Sequence, residues 1–176
     1  MRGEGDIERP SEFNYEYDMD ENGALFFLGS HGKRKLFNNP HGNAMVQAFA
    51  SSVGAGQIED FVGRTLTNCR THNEPYSYFG VDLGKDRGLI PYVYTIRNRN
   101  STTHCLMNWQ FEASHDKVNW VALDQRVHMT GRADEDAYLE REQKMLKQKG
   151  AITSWAIDKD IYREIGFEGF RYFRVL

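Results

Sequence analysis

The chain has 176 residues, of which 22 are Lys or Arg and 25 are Asp or Glu, so its formal net charge is −3. Hydrophobic residues make up 40% and aromatic residues 13%, a composition typical of a soluble globular domain with large core side chains. The length favours one domain. No apolar run approaches the roughly 18–20 residues of a membrane-spanning helix, and the polar residues 1–6 do not resemble a secretory signal.

Charge and cysteine content narrow the compartment and the class of partner. The near-neutral balance argues against a broad nucleic-acid-binding face. The two cysteines, Cys69 and Cys105, are too few for a disulfide scaffold, and without an export signal we expect both to be reduced. We therefore expect a cytoplasmic protein, with the nucleus as the other compartment that fits.

The N-terminal part predicts a short disordered lead followed by a hairpin. Residues 1–12 are polar and show no hydrophobic period, so we expect them to be disordered. Apolar and polar residues alternate over 13–17, which predicts a strand. The Asp-rich turn that ends in Asn22-Gly23 then predicts a hairpin leading to a second strand at 24–28.

Short strands separated by turns predominate in the rest of the chain. Residues 58–62 indicate one helical turn at most. The alternating or apolar runs predict strands at 45–50, 77–83, 90–97, 107–114, 120–123, 152–157 and 167–176. Seven or more short strands with turns between them indicate an all-β sandwich.

One segment departs from the β pattern. Residues 134–149 combine strong helix formers with acidic residues in the first turn and lysines in the last. Glu140 and Lys144 have the favourable i,i+4 order, and Gly150 stands where a C-terminal cap belongs. The apolar stripe is narrow, which predicts a surface helix inserted into the sandwich.

Catalytic motifs are missing from the sequence. It contains no G-x-S-x-G, no phosphate-binding G-x-x-x-x-G-K-[ST], no H-E-x-x-H and no C-x-x-C. Gly54-Ala55-Gly56 lacks the third glycine of a dinucleotide-binding loop. We therefore expect a protein that is not an enzyme and binds no cofactor.

Two residue patterns in the sequence partly match metal-binding sites. Asp18, Asp20 and Asn22 have the opening spacing of a calcium loop, but Gly29 occupies the position where a bidentate Glu belongs. Cysteine and histidine residues could in principle assemble a zinc site, although their spacing fits no compact zinc module. These residues are Cys69, His72, His104 and Cys105. We expect no metal in the protein.

The loops hold the candidate binding residues. Segments 29–42, 70–78 and 97–104 mix basic, amide and aromatic side chains, the composition that binding loops use. The candidates are Lys33, Arg34, Arg70, His72, Asn73, Glu74, Arg97 and Arg99. Solvated loops without a ligand are the alternative interpretation of the same composition.

Several motifs, in order along residues 13–176, resemble the galactose-binding-like jelly-roll family, which includes discoidin-like and factor 5/8 type C domains. They are Asp20-Glu21-Asn22-Gly23, Asn68-Cys69-Arg70-Thr71, Phe79-Gly80-Val81-Asp82-Leu83-Gly84, Tyr94-Thr95-Ile96-Arg97, Asn108-Trp109-Gln110-Phe111-Glu112-Ala113-Ser114 and Phe170-Arg171-Tyr172-Phe173-Arg174. The intracellular branch, found in HECT-type E3 ubiquitin ligases and BTB-domain proteins, is the most similar.

The resemblance implies a jelly-roll β-sandwich of two antiparallel sheets whose end loops recognise partners. For this chain it implies a non-catalytic module over 13–176 that binds a protein or peptide. A small-ligand module for a glycan or metal ion is the alternative. We expect no nucleic-acid partner and no membrane span.

Two departures from the family pattern carry predictions. The turn usually written with Asp-Gly is here Asp116-Lys117-Val118, so it must take another form or strain a residue that is not glycine. Relatives also continue beyond the motif at 170–174 into a further strand. The resemblance therefore predicts that this chain lacks its last strand, which would leave an edge through which two copies could associate.

Overall fold

Residues 12–106, 108–126 and 146–176 are described by a computed structural model. Their backbone forms seven strands, two short α-helices and one 3₁₀ helix. In chain order these are α1 (Ala24–Gly29), β1 (Gln47–Ala50), the 3₁₀ helix (Ile58–Val62), β2 (Phe79–Asp82), β3 (Val93–Arg97), β4 (Trp109–Ser114), β5 (Val121–Arg126), β6 (Ile152–Ala156), α2 (Ile161–Ile165) and β7 (Tyr172–Val175). No described helix has the length and apolar character that a membrane crossing requires.

The strands form a five-stranded and a two-stranded sheet in which all pairs are antiparallel. The larger sheet has the order β1-β2-β7-β4-β5, and β3 pairs with β6 in the smaller one. The predicted all-β jelly-roll sandwich of two antiparallel sheets is confirmed.

The C-terminal strand β7 lies inside the larger sheet. It pairs with β2 on one side and with β4 on the other, so that Phe173 lies opposite both Val81 and Ala113. Among the described strands, the outer ones of this sheet are β1 and β5. Self-association through an open edge of this sheet would therefore use β1 or β5, and it stays a prediction.

The core forms where the inward faces of the two sheets meet. Alternation along the strands buries Val81, Phe111 and Phe173 in the larger sheet and Tyr94 and Trp155 in the smaller one. The rings pack directly: Tyr94 stacks on Phe111 with centroids 4.4 Å apart, and Trp109 meets Trp155 edge-on at 4.9 Å. The aromatic residues that are abundant in the sequence therefore form the layer between the sheets.

Most of the predicted elements are confirmed with narrower bounds. All seven strands predicted from residue 45 onward are present, and residues 58–62 form the expected helical turn. Three predictions fall partly outside the described residues: disorder at 1–12, the strand at 107–114 and the helix at 134–149. Their residues that lie outside are 1–11, 107 and 134–145. At the C-terminal side of that predicted helix, Leu146 is fully buried and Gly150 has a φ of +68°, the left-handed conformation that a C-terminal glycine cap adopts.

The predicted N-terminal hairpin is wrong. Residues 13–17 do not form a strand, and α1 stands where the second strand was expected. A short apolar run is compatible with either a helix or a strand, and here the packing decides. Leu25 and Leu28, three positions apart, both pack against the core, which only a helical turn allows.

The turn between β4 and β5 uses a strained non-glycine residue, which is one of the two forms predicted. Lys117 has a φ of +66°. The Asp116 carboxylate offsets this strain, because it accepts N–H bonds of 2.8 Å from both Val118 and Asn119. The N–H groups of Asn119 and Val118 hold the pKa of Asp116 well below its usual range.

Candidate binding surface

Segment 63–70 connects the predicted binding loops, and Arg97 holds it in place. Arg97 ends β3, and its guanidinium donates hydrogen bonds of 2.6 Å to the backbone carbonyls of both Arg64 and Thr65. Burial, and after it the charge of Arg64, lower the pKa of Arg97. A planar guanidinium can bridge two carbonyls in this way, whereas an ammonium group cannot reproduce the geometry.

Arg99 fixes the next part of the same segment. Its guanidinium donates to the Asn68 side chain and to the Thr103 carbonyl, the latter at 2.6 Å and 2.9 Å. The Asn100 N–H donates to the Thr67 carbonyl at 2.6 Å. Segments 63–70 and 97–104 are thus joined by both side-chain and backbone bonds.

On its other side, segment 63–70 continues into the loop at 70–78, which is paired with residues 51–57. Arg70 and Ala55 form a β-bridge, with the Arg70 N–H donating to the Ala55 carbonyl at 3.0 Å. The Ser52 hydroxyl donates to the Glu74 carboxylate at 2.7 Å and accepts from the His72 N–H at 3.1 Å. We call segments 51–57, 63–78 and 97–104 together the loop cluster.

Exposed apolar side chains stand on this cluster among its polar groups. Leu66 is 39% exposed and Tyr76 is 84% exposed. Tyr76 has a φ of +58°, so the loop holds an unfavourable backbone conformation at this exposed aromatic residue. Apolar side chains surrounded by polar ones are typical of the core and rim of a protein interface.

The third predicted loop, 29–42, contacts the loop cluster through Arg64. The Arg64 guanidinium lies 5.0 Å from the Phe26 ring and 5.9 Å from the Phe37 ring, and it donates to the backbone carbonyls of Met19 and Asp20. A shallow cavity of about 220 Å³ separates the loop from the cluster. It is lined by Phe37, Asn38, Asn39, Asp60, Gly63, Arg64 and Thr65.

The predicted site residues are distributed unevenly over this surface. Six of them belong to the loop cluster: Arg70, His72, Asn73, Glu74, Arg97 and Arg99. Lys33 and Arg34 belong instead to loop 29–42, where the Lys33 ammonium donates to the Asn22 amide oxygen at 2.9 Å. Sequence reasoning missed Arg64, Leu66 and Asn68, since a polar segment without periodicity carries no signal of its position.

Two of the candidate metal ligands, Asp20 and Cys69, have other hydrogen-bonding roles. Asp20 accepts N–H bonds from Glu16 and Asn22 at 2.8 Å and 3.0 Å, so its carboxylate stabilises a turn. The Cys69 thiol donates to the Gln57 carbonyl, and burial, with the nearby carboxylates of Asp60 and Glu59, raises its pKa to about 11. Within the described ranges, no three His, Cys, Asp or Glu side chains are grouped to hold a metal ion.

Several known proteins are similar to this chain. No family model matches the chain. The chain is 30% identical over 152 residues, 83% of its length, to the E3 ubiquitin-protein ligase Ufd4 of Drosophila melanogaster. It is 26% identical over 170 residues, 93% of its length, to the E3 ubiquitin-protein ligase hecd-1 of Caenorhabditis elegans. The chain spans only 5% and 6% of the length of these relatives.

One solved structure is also similar, a Clostridium perfringens module named CpGH89CBM32-5 in complex with GalNAc-β-1,3-galactose. It is 12% identical with a TM-score of 0.47, and the similarity covers 78% of this chain and 85% of that one.

The sandwich and its sequence relatives define a galactose-binding-like β-sandwich domain. More particularly, it is a domain of the kind present in HECT-type E3 ubiquitin ligases, as the sequence motifs indicated.

Proposed function

We propose that the domain is a non-catalytic recognition module that binds a protein or peptide partner through the loop cluster. The observation that carries this proposal is the pair of 2.6 Å bonds from Arg97 to the Arg64 and Thr65 carbonyls. They hold the loop cluster in one arrangement before any partner arrives. A surface that is already ordered loses less conformational entropy on binding.

The side chains on the cluster support a protein as the partner. Tyr76 and Leu66 offer apolar area, while His72, Asn73 and Glu74 are exposed polar groups beside Tyr76 in sequence. Rigid aromatic anchors next to adaptable polar groups are the combination that protein-binding loops use. The ligase relatives suggest that such a module would serve recognition within a larger, cytoplasmic or nuclear enzyme, with the chemistry residing elsewhere.

A glycan is the second candidate ligand, and Tyr76 is again the observation that favours it. An 84% exposed aromatic ring near polar side chains in the same loop is a platform on which a sugar ring can stack. The two ligands make different demands on the surface, because a single sugar needs Tyr76 but not Leu66.

The test compares variants inside and outside the loop cluster. Tyr76→Ala and Leu66→Ser remove the exposed apolar groups of the loop cluster. Val118→Ser and Phe167→Ser, at residues 76% and 62% exposed outside the loop cluster, are the controls. Proteins retained from a cell lysate by immobilised wild type are identified, purified and titrated against all four variants.

We expect saturable binding of at least one purified protein, weakened about ten-fold or more by Tyr76→Ala and by Leu66→Ser but unchanged by the controls. Equal binding to all variants would reject the loop cluster as the site. Glycan-array binding that depends on Tyr76 alone, without a protein ligand, would replace the proposal by the glycan alternative.

A further inference from the structure

A short basic segment of loop 29–42, outside the loop cluster, exposes a leucine side chain almost completely. Leu36 is 95% exposed, and it directly follows Lys33, Arg34 and Lys35, which are all exposed. We call these four residues the basic tip. An apolar side chain this exposed buries almost no area in the folded domain.

The loop that carries the basic tip is closed at its base. The Asn38 N–H donates to the Gly29 carbonyl at 3.0 Å, which joins the two ends of the loop. Phe26 and Phe37, on either side of this junction, stack with centroids 5.4 Å apart. Gly29 permits the closure, since a Cβ there would lie 2.4 Å from the Phe37 ring. Loops whose ends are close and packed in this way are compact surface units.

A buried serine sets the backbone of the basic tip. Ser30 is only 1% exposed; its hydroxyl donates to the Phe26 carbonyl at 2.8 Å and accepts from the Lys33 N–H at 3.0 Å. Its carbonyl accepts the N–H groups of Arg34 at 3.1 Å and Lys35 at 3.0 Å. The tip is therefore held in a defined conformation, although its side chains lie in solvent.

Two of the three cations are available to a partner. The Lys33 ammonium is already bonded to Asn22. Arg34 and Lys35 form no ion pair with any residue in the described part of the chain. Among the described residues, the tip thus offers two positive charges without an ion-pair partner and one apolar side chain at three consecutive positions.

We propose that the basic tip binds an acidic peptide segment that carries an apolar residue. Carboxylates of the segment would pair with Arg34 and Lys35, and the apolar side chain would cover Leu36. This complementarity of charge and hydrophobicity is contained in one rigid loop, so a short linear segment can satisfy it.

The surroundings of the tip favour a peptide over an anionic membrane. Glu12 and Glu16 line a shallow cavity of about 350 Å³ together with Lys33, and Glu21 is exposed in the preceding turn. A flat anionic surface would meet these carboxylates along with the cations, whereas a peptide can contact the tip alone. One leucine also provides far less apolar area than the face of a membrane-binding helix.

The inference goes beyond the proposed function, because none of the four residues of the tip belongs to the loop cluster. The probe is a fluorescein-labelled peptide in which runs of glutamate flank one leucine. Its binding to the full chain is measured by fluorescence anisotropy. The variants are Arg34→Glu with Lys35→Glu, and Leu36→Ser. Lys85→Glu with Arg163→Glu makes the same change of net charge at exposed positions elsewhere and is the control.

We expect saturable binding that weakens about ten-fold or more in the charge-reversed tip, weakens in Leu36→Ser, and persists in the control and in Tyr76→Ala. Leu36→Ser keeps the charge, so it tests the tip even if the double variant fails to fold, which circular dichroism would show. Equal binding by all variants would overturn the proposal, as would loss in Tyr76→Ala. Tip-dependent binding to phosphatidylserine vesicles but not to the peptide would also overturn it.

Discussion

The Tyr94 hydroxyl on β3 donates a 2.6 Å hydrogen bond to the Asp124 carboxylate on β5 and so joins the two sheets. The same hydroxyl accepts the Trp109 indole N–H at 3.0 Å, and Arg126 pairs with Asp124 at 2.8 Å. Burial, and the carboxylate beside it, raise the pKa of Tyr94, which keeps its hydroxyl neutral and able to donate. A chain of polar groups therefore crosses an otherwise aromatic core, with each member bonded to the next.

Replacing this hydroxyl should destabilise the domain. Tyr94→Phe keeps the ring but leaves the Trp109 N–H and one Asp124 oxygen without their partner, and we expect a loss of about 1–3 kcal/mol in the free energy of unfolding. Tyr92→Phe, two positions away on a residue 40% exposed, is the control and should change the free energy by less than about 0.5 kcal/mol. Urea denaturation measures both. Equal midpoints for the two variants would mean that the inter-sheet bond adds nothing to stability.

The ion pair between Arg174 on β7 and Glu112 on β4 gives a second prediction. The Glu112 side chain is 9% exposed, and the Arg174 guanidinium lies 4.2 Å from the Trp120 ring and 5.0 Å from the Tyr78 ring. Arg174→Met leaves the nearly buried Glu112 carboxylate without its ion-pair partner. We therefore expect a loss of roughly 2–4 kcal/mol in the free energy of unfolding.

The double variant separates the pair from its surroundings. Adding Glu112→Leu to Arg174→Met removes the unpaired carboxylate. We expect the double variant to recover at least half of the lost free energy of unfolding, as measured by chemical denaturation. If the second substitution destabilises the protein further, the cation–π contacts of Arg174, and not its pairing with Glu112, carry the stability.

The bidentate pair of Arg171 with Asp82 predicts a dependence on pH. Burial alone would raise the pKa of Asp82, but the Arg171 guanidinium and the Gly84 N–H together lower it. A carboxyl with a lowered folded-state pKa stabilises the fold fully above its unfolded pKa of about 3.9, and that contribution is lost as pH falls through the folded value.

We therefore expect Arg171→Leu to be less stable than wild type at about pH 6, with the difference shrinking towards about pH 2. Urea midpoints across this range measure it. Arg163→Leu breaks the exposed pair with Asp160, whose side chains are 76% and 69% exposed, and should change stability little at any pH. A pH-independent deficit in Arg171→Leu would show that the Asp82 charge is not responsible.

The two hydrogen bonds that Arg97 donates to segment 63–70 predict a local effect of substitution on the mobility of that segment. Arg97→Lys keeps the charge but cannot reach both the Arg64 and Thr65 carbonyls, so segment 63–70 should loosen. We expect hydrogen exchange at the Asn100 amide, which donates to the Thr67 carbonyl, to accelerate about ten-fold or more while the urea midpoint changes little. Partner binding through the loop cluster should fall in parallel. Unchanged exchange combined with lost binding would instead make Arg97 a direct ligand of the partner.

Sequence reasoning predicted the sandwich because strand alternation is a local property. Val81, Phe111 and Phe173 are buried and alternate with residues of the outer face, because successive side chains of a strand point to opposite sides of the sheet. The aromatic motifs also occur in the order found in the family. The same reasoning gave a wrong prediction for residues 24–28, because five apolar residues are too few to distinguish a helix from a strand. The contacts of Leu25 and Leu28 with the core resolved it.

The composition and residue order of this chain by themselves determined the β-sandwich, the positions of its strands and the loops that hold the candidate binding residues. Only the tertiary structure decided what those residues do. An arginine has the same sequence signature whether it faces solvent, as Arg34 does in a loop, or holds two backbone carbonyls, as Arg97 does at the end of β3. The difference lies in partners more than thirty positions away in the chain, which no local pattern records.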